Sequence, residues 1–339
     1  MTAIRQEAPV IAIPGHEVAL DVAGLSVDIH TPQETVRAVD NVSFVGRRGE
    51  TVALLGESGC GKSLTAQAIV GLLAPVVEIA GGSVRLGDLD LVTASPKKRR
   101  EIAGPELAIV FQDALTTLNP VYTVGYQLAE PFRIHRGLSR KAARAAAIEL
   151  MERVGIPEPQ TRIDAYPHQF SGGMRQRLLI AIAVALSPAV LLADEPTTAL
   201  DVTIQAQIMQ LLKDLRTERE MALVLITHDL ALVSEEADSV VVMYAGNVVE
   251  QGPVAEVFRS PKHPYTKGLL DSVPTGAQRG ADLKSIPGKP PELHAIPAAC
   301  VYQARCPLVR EICRQARPPL REITADHQSA CHFAEEVVR

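Results

Sequence analysis

The segment Gly56-Glu57-Ser58-Gly59-Cys60-Gly61-Lys62-Ser63 fits the pattern G-x-x-x-x-G-K-[ST], and few stretches leave a chain less freedom in how it folds. Such a loop works only between a strand and a helix. Thr51–Leu55 supplies a short apolar run ahead of it, and the stretch Leu64–Leu73 behind it has helical spacing of apolar residues. The glycines let backbone N–H groups turn toward an anion, and the helix N-terminus adds the positive end of its dipole. In that setting Lys62 reaches the β- and γ-phosphates of a nucleotide and Ser63 ligates Mg²⁺. Gly56 through Leu64 are therefore the expected nucleotide contacts. Cys60 occupies a variable position of the pattern and reads as a small space-filler rather than a nucleophile.

A second segment completes this chemistry. The apolar run Val190-Leu191-Leu192-Ala193 delivers Asp194 to the Mg²⁺ shell and Glu195 to the attacking water as general base. Many strands end in acidic turns, so the run is weak evidence alone; paired with the phosphate loop it becomes strong.

Elsewhere, Val22 to Phe44 alternates as a β-hairpin region. Gly81–Val92 and Ala108–Phe111 read as short strands, Val124–Val154 as helical, Leu178–Leu186 and Ile204–Glu220 as helices, and Leu223–Thr227 and Val240–Tyr244 as strands. Strands alternating with helices predict an α/β domain with a largely parallel sheet. Arg133, Arg136, Arg140, Lys141 and Arg144 fall on polar helix positions and read as a solvated face. From about residue 260 proline recurs (261, 264, 274, 287, 290, 291, 297), predicting an extended tail wrapped on the surface.

Net charge −5, no Trp and 4% aromatics leave neither a basic field nor a stacking surface for nucleic acid. The N-terminus is a poor signal peptide and reads as a loose leader. The longest uncharged apolar stretch, Leu178–Ala193, is shorter than the roughly 20 residues a membrane span needs. A role at a membrane therefore requires docking on another protein's helices.

Phe170-Ser171-Gly172-Gly173-Met174 resembles the signature of ABC ATPases, usually Leu-Ser-Gly-Gly-Gln, and lies between the two nucleotide motifs as in that family. Gln112 matches the Q-loop, Thr198-Ala199-Leu200-Asp201 the D-loop and His228 the switch histidine. The resemblance covers roughly residues 20–255. It implies a P-loop ABC ATPase fold: a mixed, mostly parallel sheet with an antiparallel β subdomain and a helical subdomain near 113–187. The implied division is a leader over 1–19, a nucleotide-binding domain over 20–258 and a C-terminal extension over 259–339. It also implies ATP hydrolysis in a head-to-tail dimer. One subunit gives Lys62, Ser63, Gln112, Asp194, Glu195 and His228, with Glu195, His228, Gln112 and Lys62 catalytic and Ser63, Gln112 and Asp194 around Mg²⁺. The other gives its signature loop, Ser171 and Gly173, to the γ-phosphate; Gly172 and Asp201 are further implied nucleotide-binding residues. Met174 departs from the usual Gln, as in other importers of this type, and Ile29-His30 stands where an adenine-stacking aromatic is usual.

Leu118-Asn119-Pro120, His263-Pro264-Tyr265-Thr266 and Ile286-Pro287-Gly288 narrow the resemblance to the peptide/nickel importer branch. Membership implies a second ATPase subunit (a paralogue or the same chain), two transmembrane permease subunits and an extracytoplasmic solute-binding protein. The chain would be peripheral on the cytoplasmic membrane face, with the segment after Gln112 facing the permeases. The competing class is a soluble ABC ATPase of repair or translation. Repair members carry a long coiled coil before the signature, and no sustained heptads occur here; translation members usually carry two cassettes.

Cys300, Cys306, Cys313 and Cys331 are spaced C-x₅-C-x₆-C-x₁₇-C. Without an export signal a disulfide framework is disfavoured. Four thiolates suggest a [4Fe-4S] cluster, with structural Zn²⁺ as alternative and simple packing as the bland reading. His294 and His332 are spare ligand candidates. The branch resemblance makes the cluster the leading expectation.

Overall fold

The computed structural model describes residues 17–112, 117–198, 200–273 and 285–338. Strands β1 (Val18–His30), β2 (Thr35–Arg47) and β3 (Thr51–Leu55) lead into helix α1 (Lys62–Val70). Next come β4 (Val77–Leu86), β5 (Leu89–Asp90), α2 (Pro96–Ile102) and β6 (Leu107–Val110). Helices α3 (Val124–Arg136), α4 (Arg140–Arg153) and α5 (Gly172–Val184) precede β7 (Val190–Asp194), α6 (Val202–Arg219) and β8 (Ala222–Thr227). After α7 (Leu230–Glu236), β9 (Ser239–Tyr244) and β10 (Asn247–Pro253) come α8 (Val254–Arg259) and α9 (Pro264–Asp271). The chain closes with α10 (Glu311–Gln315), β11 (Arg321–Thr324) and β12 (His327–Ser329). Most of the leader, residues 113–116 after Gln112, Ala199 of the D-loop segment and Pro274 lie outside the described residues.

These elements group into two compact units. The first gathers the residues up to Gly46, Thr51–Thr93 and those from Ile226 onward; the second gathers Arg47–Glu50 and Ala94–Leu225. Within the first, β2-β1-β4-β5 form one sheet, with β4 antiparallel to both β1 and β5. The second sheet contributes the run β11-β12-β10-β9-β3, in which β3 lies parallel to β9 from Val52↔Ser239 to Leu55↔Val242. Within the second unit, β8, β7 and β6 are neighbours, β6 and β7 parallel, and every residue of β7 is buried. A strand buried on both faces reads as a continuous apolar run rather than an alternation, and Val190–Ala193 has that character.

The helical stretch expected over Val124–Val154 divides in two. Gly137 closes α3 in the left-handed conformation at φ 63°, and Ser139 caps α4 by accepting a hydrogen bond from the Ala142 N–H. Arg136, Arg140, Lys141 and Arg144 of the basic run are exposed and Arg133 is half-buried, while Leu128, Phe132, Ala143, Ala147 and Met151 form the buried stripe. Arg144 makes a two-pronged ion pair with Asp164.

The proline-rich stretch over 285–298 runs mostly exposed, as expected of an extended surface segment, but the segments flanking it are built into the first unit. β12 adds antiparallel to β10 through Glu250↔Ser329 and Gln251↔Gln328, and the two glutamines hydrogen-bond at 2.7 Å. Tyr265, Val301 and Tyr302 enter the core of the first unit beside Leu55, Val240, Val242 and Tyr244. Glu250 is fully buried and accepts from the backbone N–H groups of Lys262 and His263, with His327 at 2.7 Å. A buried carboxylate met by several donors ties this region to β10.

The cysteines require a correction. Among the described residues no group of three or more His, Cys, Asp or Glu side chains is disposed to hold a metal ion. The iron–sulfur cluster expected from the spacing, and its zinc alternative, are therefore not features of this structure. All four are free thiols; Cys300 and Cys313 are buried members of the apolar core cluster, with Cys306 packed against it. Burial pushes Cys306 up to about 11 and Cys331 up to about 12, holding both as neutral thiols at neutral pH. The two spare histidines are otherwise engaged, His332 with the Ala316 carbonyl and His294 beside Glu292.

His263 caps α9, its Nδ1 accepting from the Tyr265 N–H at 3.1 Å, and burial drives its pKa down to about 3. The unfolded chain takes up this proton near pH 6.5 while the folded chain refuses it. Stability is thus fully present above about pH 6.5 and falls as the pH drops toward 3, by at most about 1.4 kcal/mol per pH unit from this group. His263→Asn keeps a capping acceptor without the titration. Urea denaturation at pH 7, 5 and 4 should show a shallower loss for the variant; equal slopes would contradict the assignment.

Candidate active site

The phosphate loop leaves β3 at Leu55 and enters α1 at Lys62. Gly59 and Gly61 hold φ values of 80° and 103°, conformations that a Cβ disfavours. Gly56 is fixed by space instead: a Cβ there would stand 2.3 Å from the Met243 carbonyl oxygen and 2.7 Å from Cys60 Sγ. Lys62 is buried, and its ammonium donates to the carbonyls of Gly56 at 2.7 Å and Glu57 at 3.0 Å. Cys60 lies 3.7 Å from that ammonium, yet burial still raises its thiol pKa, so it fills space as a neutral group. Ser58 and Gly59 are exposed at the loop crest, with Ser63 and Leu64 half-buried on the first turn of α1.

Glu57 has contacts that its motif position does not foretell. Its carboxylate forms a bidentate pair with Arg305, 248 residues downstream, at 2.6 and 3.1 Å. Its N–H donates to the Tyr265 hydroxyl at 2.9 Å. The tetrapeptide containing Tyr265 was legible as a branch feature; nothing in the sequence around Arg305 marks it. At the end of β1, His30 has Nδ1 2.9 Å from Thr35 Oγ1 and Nε2 3.0 Å from Glu78.

In the second unit, β7 carries buried Asp194 and ends at Glu195, whose φ of 45° is costly for a non-glycine residue. Backbone held in the left-handed region at a strand terminus is characteristic of functional positions. The Glu195 carboxylate accepts from Gln112 Nε2 and from Thr198 Oγ1, both at 2.8 Å. That contact uses the Gln112 amide nitrogen, so its amide oxygen is not the atom bonded to Glu195. Ser171 caps α5 by accepting from the Met174 N–H, and Asp201 caps α6 by accepting from the Ile204 N–H at 3.0 Å. A Cβ on Gly173 would meet Ile204 Cγ2 at 2.7 Å, so the signature glycine permits close packing of the two helix starts. Ser171, Gly172 and Asp201 are exposed, leaving the α5 N-terminus open to an anion. His228 follows β8 and is exposed.

The ABC transporter family profile matches residues 39–198, and the profile of the oligopeptide/dipeptide transporter C-terminal region matches residues 249–313. A dipeptide transport ATP-binding protein of Escherichia coli is 47% identical over 314 residues, covering 93% of this chain and 96% of that protein. A putative peptide import ATP-binding protein of Brucella melitensis is 48% identical over 330 residues, covering 94% and 98%. A dimeric ATP-binding cassette solved in a post-hydrolysis state with ADP and Pi superposes with TM-score 0.63 at 28% identity, covering 69% of this chain and 98% of that one. No helix among the described residues is long and apolar enough to cross a membrane. On the strength of both profiles and these near full-length relatives, the chain belongs to the ABC transporter ATP-binding family, in the branch that carries the oligopeptide/dipeptide C-terminal region.

Proposed function

We propose that this chain is the ATP-hydrolysing motor of an importer for di- or oligopeptides. The observation that carries the reading is the second profile, over 249–313, joined to a complete set of nucleotide motifs. We read residues 20–258 as the nucleotide-binding part, its helical subdomain near 113–187, and 259–339 as the importer-type extension. The partners are a second ATPase subunit, two permease subunits and a solute-binding protein, with this chain on the cytoplasmic face. The relatives give no support to a soluble repair or translation ATPase.

Each residue's proposed role follows from its chemistry. Lys62 and the loop N–H groups bind the β- and γ-phosphates of ATP. The Ser63 hydroxyl, Gln112 amide oxygen and Asp194 carboxylate are hard oxygen donors of the kind Mg²⁺ takes, and that ion, when bound, neutralises phosphate charge. Glu195 takes the proton of the attacking water, and Gln112 and Thr198 orient its carboxylate. His228 meets the γ-phosphate. Ser171, Gly172 and Gly173 address the nucleotide of the opposite subunit, and Asp201 holds its helix start beside them. Because ATP contacts both subunits, it binds the closed dimer better than the open one and shifts the population toward closure; hydrolysis removes that preference.

Affinity purification of the tagged chain from detergent-solubilised membranes tests the assembly. Two multi-spanning proteins and a second ATPase subunit should co-purify. Recovery with ribosomal or repair proteins instead would overturn the importer reading.

A further inference from the structure

Every polar group of Glu57 in the phosphate loop is held. Its N–H is bound by Tyr265, its carbonyl by Lys62, and its two carboxylate oxygens by Arg305. The carbonyl also accepts from the Cys60 N–H, and two of the four partners, Tyr265 and Arg305, come from beyond residue 260. Arg305 is itself saturated: besides Glu57 it donates from Nε to the Pro287 carbonyl at 2.9 Å, from Nη2 to the Ile286 carbonyl and from Nη1 to the Tyr244 hydroxyl, both at 3.4 Å. Its side chain is only 4% exposed and lies over the Tyr244 ring. Tyr244, Tyr265 and Tyr302 pack edge-on or tilted against one another. A rigid aromatic floor thus aims the guanidinium at the loop.

An arginine so enclosed is costly to place unless its partner is fixed too, because burying a charge requires a well-aligned counter-charge. The bidentate fork sets both the distance and the plane of the Glu57 carboxylate. Glu57 follows Gly56 directly, and the carbonyls of these two residues are the ones that hold the Lys62 ammonium. Displacement of Glu57 therefore displaces the seat of the lysine.

We propose that Arg305 is a positioning residue for the phosphate loop: it fixes Glu57, and through the Glu57 backbone the Lys62 ammonium, so that the C-terminal region sets the affinity of the loop for ATP. This rests on the assignment of the loop to ATP made above. The C-terminal region is then part of the machinery of nucleotide binding as well as a mark of the importer branch.

The test is MgATP titration and steady-state ATPase kinetics on the purified full-length chain, with thermal unfolding in parallel. Arg305→Ala should weaken MgATP binding roughly tenfold, the scale of a lost hydrogen bond to a charged group. The loss should appear in KM, with kcat at saturating ATP little changed. Arg305→Lys should recover only part, because an ammonium cannot serve both carboxylate oxygens in one plane. Glu57→Gln should also weaken binding, and the double variant Arg305→Ala/Glu57→Gln should lose no more than the worse single variant. If Arg305→Ala does not fold, Glu57→Gln and Arg305→Lys carry the test through the same KM shift. Additive losses in the double variant, or wild-type affinity in Arg305→Ala with only a lowered Tm, would overturn the proposal. Lys62→Ala is the control. If it binds MgATP as well as the wild type, the nucleotide assignment itself fails; if it loses binding while Arg305→Ala does not, only the positioning role fails.

Discussion

Glu195→Gln should cut ATP turnover by a factor of about 10² to 10⁴, the usual contribution of a positioned general base, while leaving MgATP binding close to wild type. The change is nearly isosteric, and the new amide oxygen can still accept from Thr198 or Gln112, so the strained backbone at φ 45° retains its supports. Lost is the carboxylate's ability to take a proton from water. With hydrolysis blocked and binding intact, the nucleotide-bound dimer should accumulate, visible as an ATP-dependent shift to twice the mass in size-exclusion chromatography. Unchanged turnover would remove Glu195 from the role of base.

Gly56→Ala should be the most damaging single-methyl change in the loop. The added Cβ meets the Met243 carbonyl at 2.3 Å, and Met243 is backbone in β9, one strand from β3. Neither strand can retreat without breaking the parallel register, so the loop must move. Overpacking of this kind costs about 1–3 kcal/mol. Here it also shifts the carbonyl that holds Lys62, so MgATP affinity should fall by more than about tenfold at that cost. Gly59→Ala provides the contrast. Its Cβ meets nothing within 4 Å, and its penalty is confined to φ 80°, about 1 kcal/mol. Thermal unfolding with MgATP titration should rank Gly56→Ala well below Gly59→Ala; equal behaviour would mean that space around Gly56 does not govern the loop.

The parts of this molecule legible in the sequence are those whose information is local. A phosphate loop and an apolar strand ending in Asp-Glu carry their geometry within a few residues, so Lys62 and Glu195 are legible as candidates from local pattern, whereas Ser171 is legible only through the resemblance of its Ser-Gly-Gly segment to a family signature. The break between α3 and α4 was equally local, in Gly137 and Ser139, but a continuous apolar period conceals it. The C-terminal region is the opposite case. Prolines spaced through it forbid long helices, yet they say nothing about whether the chain between them is covered. Tyr302 and Val301 are buried by strands more than fifty residues upstream, and β12 is only three residues long, too short for a periodic signal. The Arg305–Glu57 pair spans 248 residues and has no signature in composition. Cysteine spacing misled for the same reason: thiols close in sequence share a core here, and spacing cannot tell packing from coordination.

The central claim is that ATP hydrolysis by this chain drives peptide across a membrane, and the most direct measurement is uptake by proteoliposomes containing the complex purified through this chain. With MgATP on the ATPase side and solute-binding protein plus labelled dipeptide on the other, peptide should accumulate and ATPase activity should rise when the loaded binding protein is added. Both signals should vanish with Glu195→Gln. Steady ATPase activity that ignores the loaded binding protein, with no peptide accumulated, would contradict the account.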